Sequence, residues 1–181
     1  MGEVWSFYKE CGYEDPEKTV RSLVNLTSWS NNRVLDLGCD NGLMLRLLCD
    51  WNASVSGFGI DINAKAIEKA QKRFPDLSFK AFDGVNIPFE DKYFDLVFVC
   101  AVAKHIRYED REKFYQEITR VSECVCFIEA DSQKQEEVVH HSWTFYNSNF
   151  AEEFSLNFTP IEVVKEAGDI LGLYKCRNGD N

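Results

Sequence analysis

The 181 residues contain no apolar run close to the roughly 18 needed to cross a bilayer as a helix, so no membrane-spanning segment is expected. Cations are scarce: 20 Lys and Arg stand against 30 Asp and Glu, a net charge of −10. Affinity for nucleic acid comes largely from neutralising phosphates. The charge therefore argues against a broad nucleic-acid face and favours a small-molecule substrate, with a protein side chain second and RNA third. Histidine is rare, with three in the chain, and the seven cysteines form no CxxC pair, so no metal site is expected. Most cysteines sit inside apolar runs, where a free thiol packs as a small hydrophobe, the usage of a reducing cytosol. Cys124 and Cys126 share one face of an expected strand and are read as core. No GKS or GKT occurs, which removes the P-loop. The opening MGEVWSFYKECGYEDPEK carries acids and no small-residue cleavage site, so no secretory signal and a cytoplasmic location are expected. Gly2 with Ser6 matches a myristoylation pattern only at the level of chance.

What the chain does have is alternation of short apolar runs with amphipathic stretches, the pattern of a parallel sheet with crossover helices. Val4, Phe7, Tyr8 and Cys11 follow helical spacing. Asp15-Pro16 reads as the N-cap and first position of a second helix, with Val20, Leu23, Val24 and Thr27 on one face. Strands are expected at 33–37, 55–61, 77–82, 94–100 and 124–129. Between them, Leu43, Met44, Leu47, Leu48 and Trp51 form one helical stripe, and Ala66, Ile67, Ala70 and Phe74 another that stops before Pro75. Residues 108–121 read as a helix with Phe114, Ile118 and Val121 inward. After a polar, then aromatic segment at 133–146, Ser148 could cap a short helix carrying Phe150 and Phe154. Two strand-like runs, 160–165 and 171–177, joined by Ala167-Gly168-Asp169, read as an antiparallel hairpin.

The stretch RVLDLGCDNGLMLRLL, residues 33–48, carries the sharpest signal. A dinucleotide-binding loop reads GxGxxG, whose glycines let the backbone approach a pyrophosphate. Counted from Gly38 this loop reads GCDNGL, with Asp40 and Leu43 where the second and third glycines would stand. A carboxylate there would repel a pyrophosphate, so the ligand should carry no phosphate at this loop and could carry positive charge. Asp tolerates left-handed geometry, so Asp40 could still make the turn.

Val34-Leu35-Asp36-Leu37-Gly38-Cys39-Asp40-Asn41-Gly42 resembles motif I of the class I, seven-stranded, Rossmann-like S-adenosylmethionine-dependent methyltransferases, in their type 11-like branch. Asp36, Gly38 and Gly42 match the motif, and Asp40 departs from it at the middle glycine. The resemblance extends over residues 33–129. It implies that Asp61 accepts both ribose hydroxyls, that Ile62 lies on the adenine face, and that Asp83, before Gly84, takes a hydrogen bond from the adenine amino group. Main-chain carbonyls of Cys100 and Ala101 would meet the cofactor's amino group. The runs Ile87-Pro88-Phe89 and Tyr93-Phe94-Asp95-Leu96-Val97 also resemble family segments. Alternatively, each acid merely caps a helix or turn.

The resemblance implies an α/β, doubly wound, mostly parallel seven-stranded sheet in the order 3-2-1-4-5-7-6, closed by the terminal antiparallel hairpin with helices on both faces. One domain, 1–181, is expected: a helical lid or cap at 1–32, a cofactor-binding core at 33–130, and a substrate-side segment at 131–181. The expected activity is methyl transfer from S-adenosyl-L-methionine, with release of S-adenosyl-L-homocysteine. The acceptor could be a small molecule, a protein or an RNA. Two further readings stay open: a non-catalytic cofactor-binding partner of another methyltransferase, and a Rossmann-like oxidoreductase, against which Asp40 and Leu43 argue. The methyl is already activated, so a base is needed only if the acceptor must lose a proton. His105, just past the fourth strand, is the candidate base, or else a helix-start histidine bonded to a carbonyl. His140, His141, Trp143, Phe145 and Tyr146 could line a substrate pocket, or else belong to a packed amphipathic helix. Trp5, Phe7 and Tyr8 could fold over the cofactor, or pack their helix on the domain.

Overall fold

The structure is a computed structural model that describes residues 15–26, 33–140 and 143–177. The expected first helix, with Tyr8, and also His141 lie outside the described residues. Helix α1, Pro16–Val24, begins as its sequence dictates: the Asp15 side chain accepts from the Lys18 N–H at 3.2 Å, and Pro16 needs no donor partner at the first position. Strand β1, Arg33–Leu37, leads through the glycine loop into α2, Leu43–Trp51. There follow β2, Ser56–Asp61; α3, Ala64–Arg73; β3, Ser78–Ala81; and β4, Phe94–Cys100. Two 3-10 turns, Ala103–His105 and Tyr108–Asp110, precede α4, Arg111–Val121, and then β5, Ser122–Ala130. The chain continues as β6, Glu136–His140; β7, Trp143–Asn147; α5, Phe150–Asn157; β8, Phe158–Glu166; and β9, Asp169–Cys176.

The sheet runs β3-β2-β1-β4-β5-β9-β8, with every pair from β3 to β5 parallel and β9 antiparallel to both its neighbours. This is the expected order, the terminal hairpin being β8–β9 because a separate hairpin, β6–β7, intervenes. The period-2 geometry of strands assigns residues to two faces. Leu35, Leu37, Val97, Val99, Val125 and Phe127 pack with α4 and α5, while Val34, Leu96, Phe98, Cys126 and Ile128 pack with α1 and α2. The turn between β8 and β9 needs only Ala167 and Gly168, both left-handed at φ 53° and 88°, as tight hairpins require. The buried cysteines are core residues: burial pushes the Cys49 thiol up to about 11 and the Cys176 thiol up to about 12.

Two local expectations are corrected. The segment at 133–146 forms the β6–β7 hairpin, not a helix, with Val138 opposite Phe145 and Glu137 opposite Tyr146. Its β-branched and aromatic residues suit a two-stranded ribbon and offer no helical stripe. Asn149, not Ser148, caps α5 and accepts from the Glu152 N–H at 3.2 Å. Ser148 is buried, and its carbonyl accepts from the Ser132 N–H. Phe114, half-buried, packs against the core with Ile118 and Val121 as expected, and Tyr115, on the same side of α4, is buried beside them.

Candidate functional site

Strand order reverses between β1 and β4, and in open α/β sheets ligands bind outside the carboxyl ends of strands at such a switch point. The loop from β1 leaves the sheet at this place. Gly38 adopts φ 82°, and a Cβ on it would lie 2.4 Å from the Val102 Cγ2, so the turn after β4 closes directly on the loop. Gly42 adopts φ 77°, and a Cβ on it would lie 2.6 Å from the Phe79 Cζ. Between them Asp40 is left-handed at φ 43°, so it makes the turn that a middle glycine would make. The Gly38 and Cys39 N–H groups donate to the Ile60 carbonyl at 2.8 and 3.1 Å, which ties the loop to β2.

Asp61, at the end of β2, is oriented by two backbone donors. Its Oδ2 accepts from the Asp40 N–H at 3.0 Å and its Oδ1 from the Asn63 N–H at 2.8 Å. Each carboxylate oxygen has the capacity to accept a second hydrogen bond. Asp36 is 2% exposed, and among the described residues its Oδ2 has no partner. Burial, against a backbone N–H from Leu45 and with the charges of Asp61 and Asp40 adding to it, pushes its carboxyl up to about 7. Beyond Asp61, Ile62 is 70% exposed and lies near Gly84, whose missing Cβ would sit 3.1 Å from its Cγ2. The Asp83 Oδ1 accepts from the Val85 and Asn86 N–H groups, both at 2.8 Å, and these hold its carboxyl below the usual range. Its Oδ2 takes the Asn86 amide at 3.1 Å. The following Ile87 and Phe89 carbonyls are pinned by Arg120, both at 2.8 Å.

On the β4 side, Cys100 ends its strand half-buried and Ala101 is left-handed at φ 56°, its N–H donating to the Ile128 carbonyl at 2.8 Å. His105 closes the first 3-10 turn, and its N–H donates to the Val102 carbonyl at 2.9 Å. Its ring, exposed at the surface, sits 5.1 Å from that of Phe145; partial desolvation and then the neighbouring Lys104 charge push its pKa down, which favours the neutral imidazole. His105 also lines a cavity of about 220 Å³ with Gly84, Val85, Ile106, Arg107 and Phe114. Tyr146 faces elsewhere: its ring packs edge-on to Tyr108, and its carbonyl accepts from Arg111. His140 and Trp143 pair across the hairpin end. Among the described residues no metal-ligating cluster occurs.

Sequence reasoning missed Lys104, Glu129 and Arg111. Buried Arg111 donates to the Ile106 carbonyl at 3.2 Å and to the Glu153 Oε2 at 2.7 Å as well as to Tyr146, so it ties the turn after β4 to the hairpin and α5. Its partners stand up to 42 positions away in the chain, and no local pattern announces them.

Comparisons agree with this geometry. Residues 34–123 match the model of the "Methyltransferase domain" family. A Bacillus subtilis (strain 168) protein named as a 23S rRNA (guanine-N(1)-)-methyltransferase is 34% identical over 94 residues, 49% of this chain and 33% of that protein. The norajmaline N-methyltransferase of Rauvolfia serpentina is 29% identical over 115 residues, 61% of this chain and 35% of its own. The match thus spans about a third of the length of these relatives. The crystal structure of an S-adenosylmethionine-dependent methyltransferase from Clostridium acetobutylicum ATCC 824 superposes with a TM-score of 0.71 at 13% identity, covering 91% of this chain and 94% of that one, which is a likeness of fold. With the methyltransferase domain matched over residues 34–123 and the expected sheet order, glycine loop and strand-end acids in place, the chain belongs to the class I S-adenosylmethionine-dependent methyltransferase family.

Proposed function

We propose that this chain binds S-adenosyl-L-methionine at the carboxyl ends of β1, β2 and β4 and transfers its methyl group to a small-molecule acceptor. The observation that carries the reading is Asp61, a carboxylate at the end of β2 oriented by two backbone N–H groups, one on each oxygen. The residues fit this cofactor. Asp36, Asp40 and Asp61 make a region of negative potential suited to a cationic, phosphate-free ligand, and the Asp36 Oδ2 is a buried acceptor lacking a donor among the described residues.

When bound, the cofactor supplies a methyl already activated on a sulfonium. Asp61 holds the ribose hydroxyls, and the glycine loop, through Gly38, Cys39, Asp40 and Gly42, brings backbone close to the ligand. Asp36, whose carboxyl is pushed up to about 7 by burial in the ligand-free chain, lies beneath the loop, where a bound cation would favour its ionised form. Ile62 offers an exposed apolar surface to the adenine, and Asp83 with Gly84 stands at its edge. Cys100 and Ala101 offer main-chain carbonyls to the amino group. Asp83 brings a carboxylate whose oxygens already serve its own turn, so it contributes less than Asp61. His105, kept neutral by its surroundings, takes a proton where the acceptor must lose one. Tyr8 and the side chains of His140, Trp143 and Tyr146 stay candidates for the walls of the site. The small-molecule assignment rests on the −10 charge; the names of relatives span an RNA and an alkaloid methyltransferase.

Calorimetric titration with S-adenosyl-L-homocysteine tests the reading. Micromolar-range binding is expected in the parent, weakened about a hundredfold in Asp61→Ala, the loss of charge-assisted bonds to two hydroxyls. Absence of binding in the folded parent, or an unchanged affinity in the variant, sinks it.

A further inference from the structure

We propose that Lys104 binds the acceptor, and that the acceptor is a small molecule carrying a carboxylate. This rests on the methyltransferase reading above and names the acceptor class for the same site.

Lys104 stands on the turn after β4, between Val102, which closes on Gly38, and His105. Its backbone N–H donates to the Glu129 Oε2 at 3.2 Å, and its Nζ lies 3.6 Å from the Glu129 Oε1. The Glu129 side chain is 1% exposed and also accepts from the Ala130 N–H at 3.2 Å. That carboxylate is thus committed to holding the turn and is closed to a ligand. The Lys104 side chain keeps 23% of its surface in solvent. At 3.6 Å the pair is an ion pair without a hydrogen bond. Among the described residues, the ammonium's three donors have no acceptor within hydrogen-bonding reach. On its other side the ammonium stands 5.8 Å from the centroid of the Phe145 ring, within cation–π range. Lys104 is therefore anchored by a buried acid, walled by an aromatic ring of the β6–β7 hairpin, and left with donors for a third group.

That third group is a hydrogen-bond acceptor, since an ammonium only donates, and an anionic oxygen, which adds charge to the bond, suits it better than a neutral acceptor. The neighbouring cations each have a hydrogen-bonded partner acid: Arg107 pairs with Glu109, and Lys113 shares Glu117 with Arg120, at 3.1 and 2.7 Å. A nucleic-acid strand needs several uncommitted cations in a row. One ammonium, its field partly offset by Glu129, matches a single negative charge, and the aromatic wall suits an apolar body attached to it. A small carboxylic acid meets both conditions.

The test follows S-adenosyl-L-homocysteine release by the full chain at saturating S-adenosyl-L-methionine, with aromatic and aliphatic monocarboxylic acids as acceptors, each paired with its primary carboxamide. Turnover of an acid over its amide is expected. Lys104→Met, which keeps the stem against Phe145, should raise the KM for that acid about ten- to a hundredfold with a smaller change in kcat, and Lys104→Arg should restore most of it. Calorimetry with S-adenosyl-L-homocysteine should give the same affinity for Lys104→Met as for the parent. Equal use of acids and amides, an unchanged KM in Lys104→Met, or no turnover of any acid by a protein that binds S-adenosyl-L-homocysteine overturns the inference. Loss of S-adenosyl-L-homocysteine binding in the parent itself would overturn the cofactor reading beneath it, so the two failures are told apart.

Discussion

On the β1–β2 side of the sheet the strands end in carboxylates and left-handed turns, with Asp36 and Asp61 around a loop bent at Gly38, Asp40 and Gly42. On the β5–β9–β8 side the face towards α4 and α5 closes around interlocking rings. Phe127 stacks on Phe154 at 3.9 Å and 11°, with Tyr115, Phe158 and Tyr174 edge-on or tilted about them. The first region places uncompensated charge where a ligand would lie and gives up stability to do so. The second contributes dispersion and apolar burial and offers no chemistry of its own. A sheet with both can hold a strained, anionic loop at one end because its other half anchors the strands from which that loop springs.

The largest test of this contrast is Phe154→Ala. The ring is fully buried and its removal leaves a cavity, so unfolding in urea should show a loss of about 3–5 kcal/mol, with S-adenosyl-L-homocysteine affinity per folded molecule unchanged. A loss of affinity larger than the loss of folded protein would mean that the two regions are not separable.

Asp36→Asn should act in the opposite sense. The carboxyl of Asp36 rises from 3.8 to about 7 on folding, so between those values the native state keeps a proton that the unfolded chain has released. Its contribution is fully present below 3.8 and is lost as pH rises through about 7. The ligand-free parent should therefore lose stability across this window, and the variant should not, becoming the more stable protein by on the order of 4 kcal/mol above pH 7. Parallel pH profiles for the two would show that Asp36 does not carry the strain of the loop.

The smallest and sharpest comparison sets two glycines side by side. Gly168 in the β8–β9 turn has φ 88° and nothing within 4 Å of its missing Cβ; Gly38 has φ 82° and Val102 at 2.4 Å. Gly168→Ala should cost about 1 kcal/mol, the price of a left-handed L-residue, and leave ligand affinity alone. Gly38→Ala should cost about 1–3 kcal/mol and abolish measurable S-adenosyl-L-homocysteine binding, because the turn after β4 must move. Equal costs and intact binding in both would show that the loop tolerates displacement.

Legibility in the sequence divided along the same line. Asp36, Gly38, Asp40 and Gly42 could be read from order alone, because a loop between a strand and a helix is governed by neighbours a few residues apart, and Asp40 left-handed is a property of its own side chain, whereas Asp61 was legible only through the family resemblance. The hairpin at 136–147 could not, since a polar segment without a helical stripe leaves its partner unspecified until Tyr108 donates to the Asn147 carbonyl at 2.8 Å and Arg111 grips Tyr146. The same holds for Lys104 with Glu129, 25 residues apart, which meet only because β4 and β5 lie parallel with Cys100 opposite Ile128. Local propensity and periodicity, acting over a few residues, determined the strands, the N-cap of α1 and the glycine loop, while the sheet order with its switch point was legible only through the family resemblance. Only tertiary packing, which brings distant side chains within contact range, decided which ring faces His105, how far the carboxyl of Asp36 is driven from its ordinary value, and which buried acid holds the one ammonium at the end of β4.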